Sequence, residues 1–190
     1  MRRLDENKRK HIGEAAIKLM VTVGFVHTSM HRIAKEARVA ASTIYLYYAN
    51  KDDMLNKVYL MVKRDFSDAL LQGFDAQMPI QEGIRVIFDT ICSYFEEKPL
   101  HASFMEQFEN SALVKKEIRD QAMAYYRPFF RLVERGVQEQ ILKPMPATTI
   151  GAFIFYPVVG MIRRGLSEGI RLTRGEKDKI FGMVWGAVQA

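Results

Sequence analysis

The chain has 190 residues, of which 48% are hydrophobic and 26% are charged, and its formal net charge is +6. This length buries a substantial core in one or two domains, and the composition is ordinary for a globular protein. The single cysteine, Cys92, excludes an intrachain disulfide, and no apolar run approaches the roughly 20 residues that span a bilayer. The amino terminus lacks the apolar core of a signal peptide, so we expect a cytoplasmic protein without a membrane partner.

The positive charge is unevenly distributed along the chain. Residues 1–51 contain ten Lys or Arg and four Asp or Glu, whereas the remainder contains 18 of each kind. A basic patch is the electrostatic footprint of phosphate binding, although a run of charges more often forms a solvated surface. The excess coincides with a two-helix motif at residues 28–51, and this coincidence favours phosphate binding.

The chain begins with a predicted amphipathic helix at residues 6–23. Apolar residues recur there at the helical period, and Gly24 ends the pattern. Arg2 and Arg3 precede this helix as a short basic arm, which is either disordered or close to phosphates.

Residues 28–51 predict two short helices joined by a tight turn. Thr28 is expected to cap the first helix, and residues 38–40 are too few for anything but a turn. The second helix opens with Ser42 and Thr43, and tyrosines follow. Short hydroxyl side chains let a helix come close to a DNA groove, and tyrosine hydroxyls reach phosphate oxygens. The pattern therefore predicts a helix-turn-helix motif that binds DNA.

This region resembles the DNA-binding region of the TetR family of bacterial repressors. The resemblance implies an all-α fold of about nine helices, with a three-helix DNA-binding domain at residues 1–50. A continuous helix would join it to a helical effector-binding and dimerisation domain at residues 51–190. The implied partners are double-stranded operator DNA, a small-molecule effector and a second copy of the chain. The residues that carry the resemblance are Gly24, Phe25, Thr28, Met30, Ile33, Ala34, Ala37, Val39, Thr43, Ile44, Tyr45, Tyr47, Lys51 and Leu55.

The resemblance and the motif together give a candidate DNA-binding set. The best candidates for contact with base edges are Ser42 and Thr43, whereas the resemblance assigns the tyrosines, Thr28 and Lys51 mainly to phosphates. The set comprises Thr28, His31, Ser42, Thr43, Tyr45, Tyr47 and Lys51.

Three departures from the family pattern concern Arg38, Tyr48 and the pair of Ser42 and Ala41, which stand where Gly and a polar residue are common. Arg38 stands in the turn where the family usually has Gly, so we expect a left-handed backbone there at some energetic cost. Tyr48 stands where Phe is usual, so its hydroxyl needs a partner at the edge of the core.

The rest of the chain is predicted to be helical. Asn50 and Asp53 form a capping-box pattern for a helix that runs from Lys51 to about Gly73 and is continuous enough to transmit a tilt. An interior proline bends or breaks a helix, so Pro128 and Pro157 are expected to do so. The further predicted helices cover residues 80–99, 101–109 and 111–141, with Ser111 as a cap, and then start at Thr148 or Thr149 and at Thr173, which pairs with Glu176.

Phe, Met and Tyr are abundant in the middle helices. Such residues at helical spacing more often form a core, but two helices kinked by proline tend to leave space between them. The resemblance implies a largely apolar effector pocket, and the scarcity of charges among these residues favours an apolar or aromatic effector. The candidate ligand-binding residues are Phe88, Phe104, Met105, Phe108, Tyr125, Phe129, Phe153 and Tyr156.

The last two helices are apolar on more than one side. A helix of this kind is buried in a core or against a partner, and the resemblance implies a dimer interface of two helices from each subunit. The candidate interface residues are Phe155, Met161, Phe181, Val184, Trp185 and Val188.

No pattern in the sequence indicates catalysis. A Gly-rich phosphate loop, a nucleophile elbow and an HExxH motif are absent, and the four histidines lack metal-ligand spacing. We therefore expect no catalytic residue, no metal and no cofactor. The open alternative is a helical small-molecule-binding protein or enzyme of the same fold that does not bind DNA.

Overall fold

The computed structural model describes residues 5–109, 111 and 113–190, apart from the side chain of Leu166, so the Arg2 and Arg3 arm lies outside it. Within these residues no helix is long and apolar enough to cross a membrane. The described residues form ten helices: α1 Glu6–Val23, α2 Met30–Glu36, α3 Ala41–Ile44, α4 Lys51–Leu71, α5 Ile80–Glu97, α6 Pro99–Glu109, α7 Lys116–Ala124, α8 Arg127–Gln138, α9 Ala147–Ser167 and α10 Arg174–Val188.

The chain divides into two compact units. The first unit runs as far as Arg64 and also contains Leu100–Ala122, and the second contains Asp65–Pro99 and Met123–Ala190. Helices α6 and α7 therefore belong with the amino-terminal helices, although they come later in the chain. The predicted division at residue 50 concerns function rather than contacts, and it stays a prediction.

Helices α1 to α3 share one apolar core in the first unit. Ile12 and Met20 of α1, Ile33 of α2 and Ile44 of α3 are all completely buried. Asp5 caps α1 by accepting hydrogen bonds from the backbone amides of Asn7 and Lys8. Helix α1 spans Glu6–Val23, which confirms the predicted range. The helical spacing of its apolar residues gives the helix one continuous buried face.

The turns of the first unit match one prediction and correct another. Arg38 has φ 53°, so the predicted left-handed backbone is present. The prediction of Thr28 as a helix cap is wrong, because α2 begins one residue later. Ser29 is the cap and accepts a bond from the amide of Arg32 at 3.2 Å. Thr28 instead donates its hydroxyl proton to the carbonyl of Gly24 at 2.8 Å.

Helix α6 is bound into the first unit by aromatic and charged groups. The stacked rings of Phe104 and Phe108 lie 6.0 and 5.8 Å from the ring of Phe25. At the end of α6, Glu109 accepts a hydrogen bond from Tyr59 at 2.9 Å and pairs with Lys63 at 2.5 Å. These contacts explain why α6 belongs with α1 and α4.

The second unit is a bundle in which α5 packs against α8, α9 and α10. The apolar stripe of α5, which includes Ile84, Phe88 and Phe95, is fully buried. Two ion pairs tie α10 to α5 at the edge of this core. Arg85 binds Asp178 at 2.6 Å, and Lys177 binds Glu96 at 2.8 Å.

The two interior prolines behave differently from each other. The predicted helix at residues 111–141 is two helices, α7 and α8, because Pro128 lies in the first turn of α8, where no N–H is needed. Ser111 is therefore not a cap, since α7 begins only at Lys116. Pro157 lies inside α9 without ending it, and α9 begins at Ala147 rather than at a threonine. The break at Pro128 explains why the described residues contain ten helices instead of about nine.

The remaining capping predictions are largely confirmed. Thr173 and Glu176 form a full capping box at the start of α10. At the start of α4, Asn50 accepts a bond from the Asp53 amide at 2.9 Å, as predicted. The reciprocal bond differs from a capping box, because Asp53 accepts from the amide of Ala49 instead of that of Asn50.

Close packing at Gly136 makes this position intolerant of a side chain. A Cβ atom there would lie 2.7 Å from Leu142 Cδ1 and 2.9 Å from Ile80 Cγ2, and both neighbours are buried. Gly136→Ala should therefore lower the free energy of unfolding by about 1–3 kcal/mol, as overpacking does. Gly175→Ala is the matched control in α10, because nothing lies within 4 Å of its added Cβ. Urea unfolding of both variants measures the difference, and equal stabilities would contradict this packing.

The buried Tyr48 hydroxyl makes stability sensitive to alkaline pH. It donates to the carbonyl of Arg9 at 3.4 Å, and burial raises the pKa of Tyr48 to about 12. The folded state then keeps a proton that the unfolded state loses near pH 10, so this contribution is complete below pH 10 and is lost as pH rises toward 12. The free energy of unfolding should therefore decrease as pH rises above 10. Tyr48→Phe should make this decrease about 1 kcal/mol smaller at pH 11. Tyr45→Phe, at an exposed position, is the control, and identical pH profiles for the two variants would refute the effect.

Candidate functional site

The exposed side chains of α2 and α3 form the accessible part of the predicted DNA-binding set. His31 of α2 and Ser42 of α3 are exposed, and Thr43 is half-buried. Tyr45 follows directly after α3 and is 58% exposed. The buried Ile44 beside them anchors α3, so these polar groups are presented on a short helix with a fixed position.

Thr28 and Tyr47 are predicted DNA contacts that lie buried in the chain. Thr28 is only 2% exposed, and its hydroxyl is bonded to the Gly24 carbonyl. Tyr47 is also buried, and its carbonyl accepts a bond from Lys57 at 3.2 Å. Both residues therefore hold the local structure together in the isolated chain, and their contact with phosphate stays a prediction.

Lys51 lies at the first position of α4, where the capping contacts of Asn50 and Asp53 are made. Its ammonium donates a hydrogen bond to the carbonyl of Phe25, which ties the start of α4 to the end of α1. Burial raises the pKa of Asp53, whereas the Lys57 ammonium at 2.8 Å, the Ala49 amide and the Lys115 ammonium together hold it below its ordinary value. Asp53 is thus an ionised capping group rather than a proton donor.

The positive charge coincides with the first unit as a whole. That unit contains 16 Lys or Arg and 10 Asp or Glu, whereas the second contains 12 of each. The formal excess of +6 therefore belongs entirely to the unit that carries α2 and α3. This distribution matches the electrostatic requirement for binding a polyanion.

Two exposed apolar residues near the DNA-binding set were not singled out from the sequence. Val26 in the turn after α1 and Leu46 after α3 are both largely exposed. Leu46 follows the buried Ile44 by two residues, which puts it on the opposite side of a helical turn. That spacing was the available signal. Apolar side chains at such a position can contact sugar and thymine methyl groups.

The predicted ligand-binding residues are divided between the two units. Phe104, Met105 and Phe108 are packed in the core of the first unit, where the two rings contact Phe25. The remaining five belong to the second unit, in which Phe88 and Phe129 are buried and Tyr125 is half-buried, while Phe153 and Tyr156 are exposed. A pocket formed by this set stays a prediction.

The predicted interface residues of α9 and α10 divide into an inner and an outer group. Phe181, Val184 and Val188 are buried within the single chain, and Phe155 and Trp185 are half-buried. Met161 is exposed, as are Phe153 and Tyr156 of the same helix. Met183 of α10 was missed by the sequence reasoning although it is 76% exposed. The sequence offers no signal for it, because Met183 and its buried neighbour Val184 are both apolar.

The described residues contain no group of three or more His, Cys, Asp or Glu that could hold a metal ion. Burial raises the pKa of the Cys92 thiol to about 11, so it is protonated at neutral pH and is a poor nucleophile.

Comparisons with known proteins agree with this arrangement over nearly the whole chain. The model for bacterial regulatory proteins of the tetR family matches residues 12–58, and the model for the tetracyclin repressor-like C-terminal domain matches residues 79–189. An uncharacterized HTH-type transcriptional regulator of Haemophilus influenzae is 36% identical over 110 residues, which cover 58% of this chain and 59% of that protein. The aligned part thus spans less than two thirds of that relative.

Solved structures show the same architecture. A TetR family transcription regulator from Marinobacter aquaeolei VT8 superposes with a TM-score of 0.91 at 29% identity, and the match covers 97% of each chain. A TetR-family transcriptional regulator from Haemophilus influenzae Rd superposes with a TM-score of 0.84 at 24% identity over 100% of each chain. With both of its parts matched by the family models, this chain belongs to the TetR family of bacterial regulatory proteins and is a helix-turn-helix transcriptional regulator.

Proposed function

We propose that the protein is a cytoplasmic, homodimeric repressor that binds a pseudo-palindromic operator and is released by a small effector. The observation that carries the proposal is the coincidence of the whole charge excess with the unit that presents α3. In a dimer, each α3 would enter a major groove, and the two half-sites would lie one helical turn or a multiple apart. Selection of bound fragments from genomic DNA, followed by a gel shift at several salt concentrations, tests this function. Absence of salt-dependent binding would favour the alternative, a protein of the same fold that does not bind DNA.

The accessible side chains support a division of labour on DNA. Ser42 and Thr43 are short, and they lie at the start of α3, so they can approach base edges. His31 and Tyr45 are exposed beside them and would donate to phosphate oxygens. Lys51 would bind phosphate after its ammonium leaves the Phe25 carbonyl, while Thr28 and Tyr47 would act mainly by fixing the turn and α3.

The outer faces of α9 and α10 support a dimer interface that differs in part from the predicted set. Phe153, Tyr156, Met161 and Met183 are large apolar or aromatic side chains exposed to solvent in the single chain. The glycines of the same two helices leave open surface, because an added Cβ at Gly160, Gly182 or Gly186 meets nothing within 4 Å. Exposed apolar helices with small residues allow close helix approach, so these outer faces would pair in a four-helix interface.

The effector is proposed to be apolar or aromatic and to bind in the second unit. Phe88, Tyr125 and Phe129 are the predicted ligand residues that remain candidates there. The edge-to-face contact of Phe88 with Phe181, at 5.3 Å between ring centroids, would have to adjust to admit a ligand. The two exposed members of the predicted set, Phe153 and Tyr156, fit the dimer interface better.

Three helices cross the boundary between the two units along the chain, namely α4, α6 and α7, and α7 crosses it between Ala122 and Met123. Helix α4 is continuous from Lys51 to Leu71 and crosses the unit boundary at Arg64. Helix α6 crosses it too, since Pro99 belongs to the second unit and the following residues to the first. The expectation that the continuous α4 transmits a tilt stays a prediction. We propose that α4 carries most of the signal, because its first residue, Lys51, belongs to the proposed DNA-binding set.

Removal of the Lys51 charge should weaken binding to all DNA sequences alike. Lys51→Ala should lower the slope of log affinity against log salt by about one unit, as the loss of one phosphate contact does. Lys179→Ala is the control, since this exposed lysine belongs to α10 in the second unit. Fluorescence anisotropy with a labelled duplex at several salt concentrations gives both slopes, and an unchanged slope for Lys51→Ala would remove it from the phosphate set.

A charge on the outer face of α10 should separate the dimer. Met183→Glu should give monomers with weak operator binding, because a carboxylate would be buried in an apolar interface. Ile170→Glu is the control at an exposed apolar residue outside both helices. Val184→Glu should instead lower stability, since Val184 is buried within the protomer. Sedimentation velocity distinguishes monomer from dimer for each variant, and thermal melting measures its stability. A wild-type monomer at micromolar concentration would refute the interface.

Effector and operator should each weaken the binding of the other by the same factor, typically 5–150-fold in allosteric systems. Insertion of two glycines after Lys63 interrupts α4 and should preserve both binding activities while it removes the coupling. Calorimetric titration of effector with and without operator measures the factor. Coupling that survives the insertion would assign the signal to another helix that crosses the boundary, α6 or α7. The same insertion in the loop at Pro144 is the control.

A further inference from the structure

His11 of α1 is hydrogen-bonded to the turn between α2 and α3. Its Nε2 atom lies 3.0 Å from the carbonyl oxygen of Ala37, which is 26 residues further along the chain. A carbonyl oxygen only accepts, so Nε2 must carry a proton, as it does in one neutral tautomer and in the imidazolium. Both residues belong to the first unit, so the bond joins α1 to the helix-turn-helix.

The carbonyl that His11 binds belongs to the end of α2. Ala37 is the C-cap of α2 and is only 2% exposed. The last carbonyls of a helix have no amide within that helix to accept from, and a buried acceptor without a partner lowers stability. His11 thus supplies a donor where the helix itself provides none.

The chain after Ala37 makes the sharp turn on which the direction of α3 depends. Arg38 follows with φ 53°, a left-handed conformation that costs energy for a residue other than glycine. Ala40 precedes α3 without a side-chain cap, and α3 is only four residues long. A helix of one turn has little stability of its own, so the orientation of α3 depends on the buried Ile44 and on this turn.

A second contact from α1 reaches the same end of α2 but contributes less. Lys18 pairs with Glu36 at 2.6 Å, and the two side chains are 59% and 32% exposed. An exposed ion pair of this kind adds little stability and is screened by salt. The bond from His11 ends on a backbone group of a buried residue, so it is the polar contact of α1 that fixes the turn.

We propose that His11 is a positioning residue for DNA recognition, because its hydrogen bond to the Ala37 carbonyl holds the turn that sets the orientation of α3. The inference rests on the proposed contact of α3 with base edges. The donors and acceptors of a base pair have fixed places in the groove, so a base contact needs exact placement of the helix. Binding to unrelated DNA is mainly electrostatic and depends less on that placement.

The test compares His11→Leu and His11→Gln with the wild-type chain on a labelled operator duplex and on an unrelated duplex at several salt concentrations. Leucine removes the donor, whereas the side-chain amide of glutamine supplies one in place of the imidazole N–H. His11→Leu should bind operator about tenfold more weakly, the effect of one unpaired buried acceptor. Its affinity for unrelated DNA and both salt slopes should stay unchanged, and His11→Gln should restore most of the operator affinity.

Other results of this comparison overturn the inference. Operator affinity of His11→Leu equal to that of the wild type shows that the bond does not position α3. A salt slope lower by about one unit assigns His11 to a phosphate instead. An equal loss on both duplexes is a loss of folded protein, and failure of His11→Gln to restore affinity assigns the loss to the shape of the ring. If His11→Leu does not melt cooperatively, His11→Asn takes its place, because that side chain is too short to reach the carbonyl.

Hydrogen exchange of the Val39 amide tests the same bond without DNA. This amide donates to the Ala34 carbonyl at 3.0 Å within the turn. Its exchange should be faster in His11→Leu and close to the wild-type rate in His11→Gln, because the turn opens more often without the bond. An unchanged rate in His11→Leu overturns the inference. A wild-type chain that binds no DNA refutes the proposed function, whereas operator binding that does not respond to His11→Leu refutes this inference alone.

Discussion

The contact on which the first unit depends is the packing of Phe108 between Phe25 and Tyr59. The ring centroids are 5.8 and 5.3 Å from its own, so one residue of α6 holds the turn after α1 and the middle of α4. The adjacent ion pair of Lys63 and Glu109 has a lysine that is only 7% exposed. The Glu109 carboxylate is half-buried and also accepts the Tyr59 hydroxyl, so the pair adds charge-assisted contacts between α4 and α6. These contacts fix the helices that present α3.

The same contacts connect α6 to α4, the helix that begins at the proposed DNA-binding surface. Lys51 at one end of α4 lies where a phosphate is expected, while the residues from Asp65 onward belong to the second unit. Because α6 is packed on α4 through Tyr59 and Lys63, a change in α6 reaches the same helix that ends at the DNA-binding surface. A ligand can alter DNA affinity only if it binds the two states of this arrangement with different affinities.

Local patterns in the sequence predicted the elements whose determinants are near in the chain. The range of α1 and the Thr173 capping box depend on residues within one or two turns, whereas the left-handed Arg38 was predicted from the glycine that the family usually has there. The inner and outer faces of α10 could not be distinguished, because Val184 and Met183 are both apolar and only tertiary packing buries one of them. Likewise, nothing near Phe104 or Phe108 indicates that Phe25 is their partner. The aromatic set was therefore assigned to one pocket, although its members lie in two units.

Hydroxyl-radical footprinting of a selected operator is the most direct test of the central claim that the first unit of a dimer binds DNA through α3 and the start of α4. The claim predicts two protected backbone patches per strand on one face of the duplex, with centres one helical turn, about 10 base pairs, or a multiple apart. Protection should weaken as salt rises, because phosphate contacts release counterions. A single patch, or no protection at concentrations where the chain is a dimer, would contradict the claim.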